Sequence, residues 1–152
     1  MGSFSDFLIT LFESFGLYSS QNGLGEHLRG LDPHTCNDYT GQSTYNMVFI
    51  YLFVINSLIV INYYYGLFNR VPFNVWWKWL LNILVGAAIV GVVAFMYPNN
   101  DLSTGNYCKD LHMHESDCLG FAMTAFIYSF LWSCILSLLI KWKSSVNRKV
   151  PF

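Results

Sequence analysis

Residues 45–68 read YNMVFIYLFVINSLIVINYYYGLF, 24 residues without one charged side chain. As a helix this stretch would rise about 36 Å, enough to cross a hydrocarbon core of roughly 30 Å with some tilt. A buried helix of a soluble protein can be equally apolar, but it needs a large protein around it. The rest of the chain decides between the two.

Two further stretches of the same kind follow. Residues 75–97 open on Trp76, Trp77, Lys78 and Trp79, the aromatic belt and snorkelling amine expected at a membrane interface. Residues 119–140 run without a charge into Lys141-Trp142-Lys143. Three such stretches in 152 residues leave too little protein to bury them. A composition of 54% hydrophobic and 11% charged residues points the same way. The expected fold is all-α, a polytopic transmembrane helical bundle forming a single membrane domain over residues 1–152.

Residues 4–18 present Phe4, Phe7, Leu8, Leu11, Phe12, Phe15 and Tyr18 on one helical face and Ser3, Asp6, Thr10 and Glu13 on another. Ser3 and Asp6 have the spacing of a capping box. Two placements are open: an amphipathic helix in the outer interface, or a short fourth span with shielded acids. The cost of charge at membrane depth favours the interface. Without a basic leading region the segment makes a poor signal peptide. Residues 19–44, with Gly23, Gly25, Gly30 and Pro33, read as a turn-rich connector.

Charge is distributed unevenly. Asp6, Glu13, Glu26, Asp32 and Asp38 precede the first span, and Asp101, Asp110, Glu115 and Asp117 fall in the loop 98–118. Arg70, Lys78, Lys141, Lys143, Arg148 and Lys149 lie on the other side of the spans. The positive-inside rule makes the basic side, with the tail 141–152, cytoplasmic or its organellar equivalent. The acidic connector and loop then face outward.

Small residues recur every four positions at Ala87 and Gly91 and at Ala125, Ser129, Ser133 and Ser137. Such stripes let helix backbones approach in lipid, either within one chain or between subunits, and packing within the chain is the commoner use. Asn56, Asn62 and Asn82 fall inside spans, where an amide must find a partner. Interhelical pairing is favoured over lining of an aqueous path, because Asn56 and Asn62 do not share a helical face.

The outward side collects His27, His34, Cys36, Cys108, His112, His114 and Cys118. His34, His112 and His114 suggest a weak zinc or copper site, but the spacing matches no strong metal motif. In an oxidising compartment a disulfide is the plainer reading. Cys108 with Cys118 is the simplest pair, and Cys36 with either would tie the connector to the loop.

No acid or base lies deep in a span, which argues against an ion-coupled transporter, and no nucleophile there has a base beside it. The absence of GxxxxGK[ST] and GxGxxG leaves nucleotide chemistry unsupported, and the one basic cluster is a juxtamembrane tail, so nucleic acid is not an expected partner. No cofactor is expected. With 13 Phe, 10 Tyr and 5 Trp, the chain carries more aromatic surface than three helices can bury alone. The expected function is therefore non-enzymatic: a membrane subunit packed against other subunits or copies of itself, its acidic outward face available to a partner. A homo-oligomeric pore is the alternative.

Overall fold

The computed structural model describes residues 2–15, 17–18, 23–66 and 75–144, and is all-helical over them, without a strand. The helices are α1 (Gly2–Glu13), α2 (Leu24–Leu28), α3 (Thr44–Tyr65), α4 (Trp76–Thr104) and α5 (Glu115–Ile140), followed by a 3-10 turn at Lys141–Lys143. Residues 67–68 of the first expected span and 145–152 of the basic tail lie outside the described residues, as do the side chains of Ser3 and Phe4.

Three helices, α3, α4 and α5, are long and apolar enough to cross a membrane. Only 28%, 39% and 28% of their most apolar windows is buried within the chain, so most of their apolar surface faces outward. Ile50, Leu58, Val85, Met96, Ile135 and Leu139 are among the exposed side chains. In water such an extent of exposed aliphatic surface would drive aggregation; in lipid it is solvated. The chain is an integral membrane protein in contact with the bilayer.

At 12 residues α1 is about 18 Å long, too short for a fourth span. It begins at Gly2, one residue before Ser3. Of the expected apolar face, Leu8, Phe12 and Tyr18 are buried, while Phe7 and Phe15 are exposed.

Two span ends differ from those read in the sequence. Pro98 looks like a stop, because it lacks an N–H and crowds the preceding turn. The helix nevertheless continues to Thr104. There it closes on Gly105, whose φ of 72° is left-handed. Asn106 N donates to Asp101 O and Gly105 N to Leu102 O, the paired bonds of a Schellman ending. Helix α5 starts at Glu115 instead of 119, since Glu115 and Asp117 form its first turn, where the helix dipole favours acids.

The chain divides into two compact units, residues 1–50 with 91–125 and residues 51–90 with 126–152. In unit 1, Phe12, Tyr18, Tyr45 and Phe121 form an aromatic cluster with ring centroids 5.5 to 5.7 Å apart, and the Tyr18 and Tyr45 hydroxyls are 2.9 Å apart. Gly120 makes room for it: a Cβ there would run into the Leu17 carbonyl oxygen. In unit 2, Val60, Tyr63, Tyr64, Trp79 and Ile83 form the core, with Leu80, Phe130 and Leu136 packed on it.

Candidate functional site in the acidic unit

Unit 1 contains all nine acids and all four histidines of the chain but only two bases, Arg29 and Lys109; unit 2 holds the other six bases and no Asp or Glu. Chemistry by charged side chains is therefore concentrated in unit 1.

Its framework is the segment 24–41. The Gly41 N–H donates to Gly30 O and the Asp32 N–H to Asp38 O, closing a loop on itself. Gly30 has φ 97°, and a Cβ there would come within 2.5 Å of the Gly41 carbonyl oxygen, so only glycine fits. Asp32 organises the interior of the loop: Oδ1 accepts from the His34 N–H and Oδ2 from Thr40 Oγ1. The loop presents His34, Asp38, Tyr39 and Thr40 as exposed side chains.

Two links tie this segment to the end of α4 and the loop after it. Cys36 and Cys108 form a disulfide across 72 residues, with the Cys108 Sγ 3.3 Å from the Asp32 carbonyl oxygen. His27 Nε2 lies 3.1 Å from Asp101 Oδ2, in a pair whose histidine is nearly buried. The polar extension of α4 past Pro98 is what carries Asp101 to His27.

Arg29 makes the third connection. Its Nη1 donates to Glu26 and its Nη2 to Glu13 of α1, at 3.2 and 3.3 Å. Glu26 also accepts the Tyr39 hydroxyl, and that bond, more than burial, raises the Tyr39 phenol above its ordinary range. Glu13 lies 3.5 Å from the Tyr45 hydroxyl. A groove of about 460 Å³ opens beside this network, lined by Asp6, Ile9, Thr10, Glu13, Arg29 and Tyr39.

Sequence and structure differ on the cysteines. Cys108 pairs with Cys36 and not with Cys118, which is a buried free thiol in the first turn of α5. The short spacing between 108 and 118 is interrupted by the start of that helix. The suggested metal site is not assembled either. His34, His112 and His114 are exposed, Cys36 is committed to the disulfide, and among the described residues no three His, Cys, Asp or Glu side chains are arranged to hold an ion. The contacts made by His27, Asp101, Arg29 and Tyr39 emerged only from the fold. The spacing of Glu26 and Arg29, a helical i,i+3 pair, was the one local signal for them.

The span residues singled out in the sequence are turned inward. Ala87, Gly91, Ala125, Ser129, Ser133 and Ser137 are all buried within the chain, so these stripes serve its own packing. In unit 2 the fully buried Asn56 donates from Nδ2 to Ser129 Oγ at 2.6 Å and to Leu52 O at 2.7 Å, and its Oδ1 accepts from Ser133 Oγ at 2.8 Å. Gly86 of α4 abuts this amide. Trp79 Nε1 donates to Ser137 Oγ. Asn82 borders a crevice with Tyr63, Tyr64 and Trp79 that leaves no room for a water molecule, and Asn62 is half-buried near the end of α3.

The chain matches no family model, no curated protein and no solved structure.

Proposed function

We propose that the chain is a non-enzymatic subunit of a multi-subunit membrane complex, which displays a braced acidic unit to a partner on the non-cytosolic side. The observation that carries this reading is the segregation of charge: nine acids with two bases in unit 1, six bases without an acid in unit 2. The positive-inside rule favours the cytosolic side, or its organellar equivalent, for the basic segments, and the Cys36–Cys108 disulfide supports an oxidising compartment for unit 1.

The bracing supports recognition. A disulfide, two ion-paired connections and a self-bonded loop hold polar side chains that remain exposed, so their ordering cost is met before any partner arrives. The exposed apolar faces of α3, α4 and α5 are available to neighbouring membrane subunits as well as lipid. The alternative, a homo-oligomeric pore, is disfavoured because Asn56, Ser129 and Ser133, which could have lined it, bond to one another inside the chain.

A photo-crosslinking residue at Thr40, exposed in the loop, tests the reading in native membranes. A discrete crosslinked protein is expected, and it should disappear when the loop is released by Cys36→Ser. Crosslinks to lipid alone would contradict the proposal.

A further inference from the structure

Helix α1 turns one stripe toward the segment 24–41. Asp6, Ile9, Thr10 and Glu13 are spaced as neighbours on a helical face, and with Arg29 and Tyr39 they line the groove of about 460 Å³. That volume lies within the range of sites that hold small molecules. The wall carries two acids and one base, and the base is shared with a third acid: Arg29 donates to Glu13 and to Glu26.

The hydrogen-bonding capacity of the wall is as one-sided as its charge. Thr10 Oγ1 donates to the Asp6 carbonyl at 2.8 Å and the Tyr39 hydroxyl donates to Glu26, so both hydroxyl protons are committed. Both bonds to Glu13, from Arg29 and Tyr45, fall on Oε1. Among the described residues no other side chain bonds the exposed Asp6 carboxylate. The wall therefore offers mainly acceptors: the Asp6 carboxylate, Glu13 Oε2 and the lone pairs of two hydroxyls. Its remaining donors are the second N–H groups on the Arg29 Nη atoms. The complementary ligand brings several N–H donors with a positive charge, as a primary ammonium does, and tolerates a guanidinium beside it.

We infer that this groove receives the headgroup of a phospholipid that ends in a primary ammonium, of the phosphatidylethanolamine type. Charge complementarity assigns the ammonium to Asp6 and Glu13 and the phosphate to Arg29. The source of the ammonium is lipid because α1 is amphipathic in a protein that contacts the bilayer: Phe7, next to Asp6, is 59% exposed. An exposed phenyl on a helix that also bears Asp6 and Glu13 belongs at the boundary between acyl chains and headgroups. A choline headgroup has the charge but no N–H to donate, and an anionic headgroup meets two carboxylates. The inference does not depend on the identity of any protein partner.

The test uses the full chain in nanodiscs containing equal phosphatidylethanolamine, phosphatidylcholine and phosphatidylglycerol, extracted gently, with the retained lipids counted by native mass spectrometry. The wild type should retain phosphatidylethanolamine in preference to both others. Asp6→Asn should reduce that preference about threefold, the scale of one exposed ion pair, and Asp6→Lys should abolish it. Asp110→Asn, an exposed acid outside the groove, should leave it unchanged. A second measurement needs no variant to fold: stepwise N-methylation of phosphatidylethanolamine should weaken retention by the wild type at each step, as N–H donors are removed. Equal retention of the ethanolamine and choline lipids by the wild type would overturn the inference, as would a preference for phosphatidylglycerol. A preference that survives Asp6→Lys would also overturn it, by placing the lipid away from this groove.

Discussion

Ser133 of α5 donates its hydroxyl to Asn56 Oδ1 of α3 across 2.8 Å, joining two spans 77 residues apart at a position where neither side chain reaches solvent. Interhelical hydrogen bonds in membranes contribute about 0.6 kcal/mol each on average. Asn56 makes two of them, to Ser129 and Ser133. Asn56→Ala should therefore destabilise the chain by about 1 to 2 kcal/mol, the higher value including the orphaned hydroxyls. Thermal unfolding in detergent checks this, and a cycle with Ser133→Ala should show the two positions coupled.

Gly86 belongs to the same arrangement. A Cβ there would stand 2.9 Å from Asn56 Oδ1 and 3.0 Å from Ile59 Cδ1. Because Asn56 is held by three hydrogen bonds it cannot swing away cheaply. Gly86→Ala should cost about 1 to 3 kcal/mol by overpacking. In an Asn56→Ala background the cost should shrink, since the obstructing oxygen is gone. An unchanged cost there would place the clash elsewhere.

Labelling of the unfolded chain with a thiol reagent should modify two cysteines before reduction, Cys118 and Cys134, and four after it. Peptide mapping should assign the bridge to Cys36 and Cys108. Loss of the bridge by Cys108→Ser should destabilise unit 1 by at most about 4 kcal/mol, the chain-entropy limit for a loop of this size. The effect should be smaller if the spans stay inserted, because lipid already restricts the unfolded chain.

Tyr39 titrates above its ordinary value of 10, chiefly because its hydroxyl donates to Glu26 and ionisation would forfeit that bond. A raised folded-state pKa means that the contribution of this contact is complete below the unfolded value and is lost as pH rises through the folded one. A difference ultraviolet titration of wild type against Tyr39→Phe should place the Tyr39 transition above that of a free phenol. Coincidence with the free phenol would contradict the Tyr39–Glu26 contact.

Much of the fold was legible because lipid imposes a simple rule: a backbone crossing it must be helical and its surface apolar. That rule located α3, α4 and α5 from apolar length, with Lys78 at one end of α4 read as a snorkelling amine. It could not fix their ends, which are set by chemistry outside the lipid. Asn99, Asn100 and Asp101 read as loop, yet they extend α4 because Asp101 has His27 to meet and Gly105 closes the helix. Glu115 and Asp117 read as loop acids, yet they form the first turn of α5.

The acidic unit was legible in composition but not in its connections. Cys36 with Cys108, His27 with Asp101 and Arg29 with Glu13 join residues from 16 to 74 positions apart, and no periodicity encodes such pairings. The nearest cysteine in sequence was the wrong partner for Cys108, because Cys118 is carried into the buried side of a helix. The asparagines show the same limit. Spacing said that Asn56 needed a partner at membrane depth; only the packed helices identified Ser129 and Ser133.

The central claim, that the chain is a subunit displaying an acidic unit to a partner, is tested most directly by the native mass of the gently solubilised complex with every co-purifying chain identified. The account predicts a fixed stoichiometry with at least one foreign protein, reduced when Cys36→Ser releases the loop. A monomer that retains only lipid, or a closed ring of this chain alone, would contradict it.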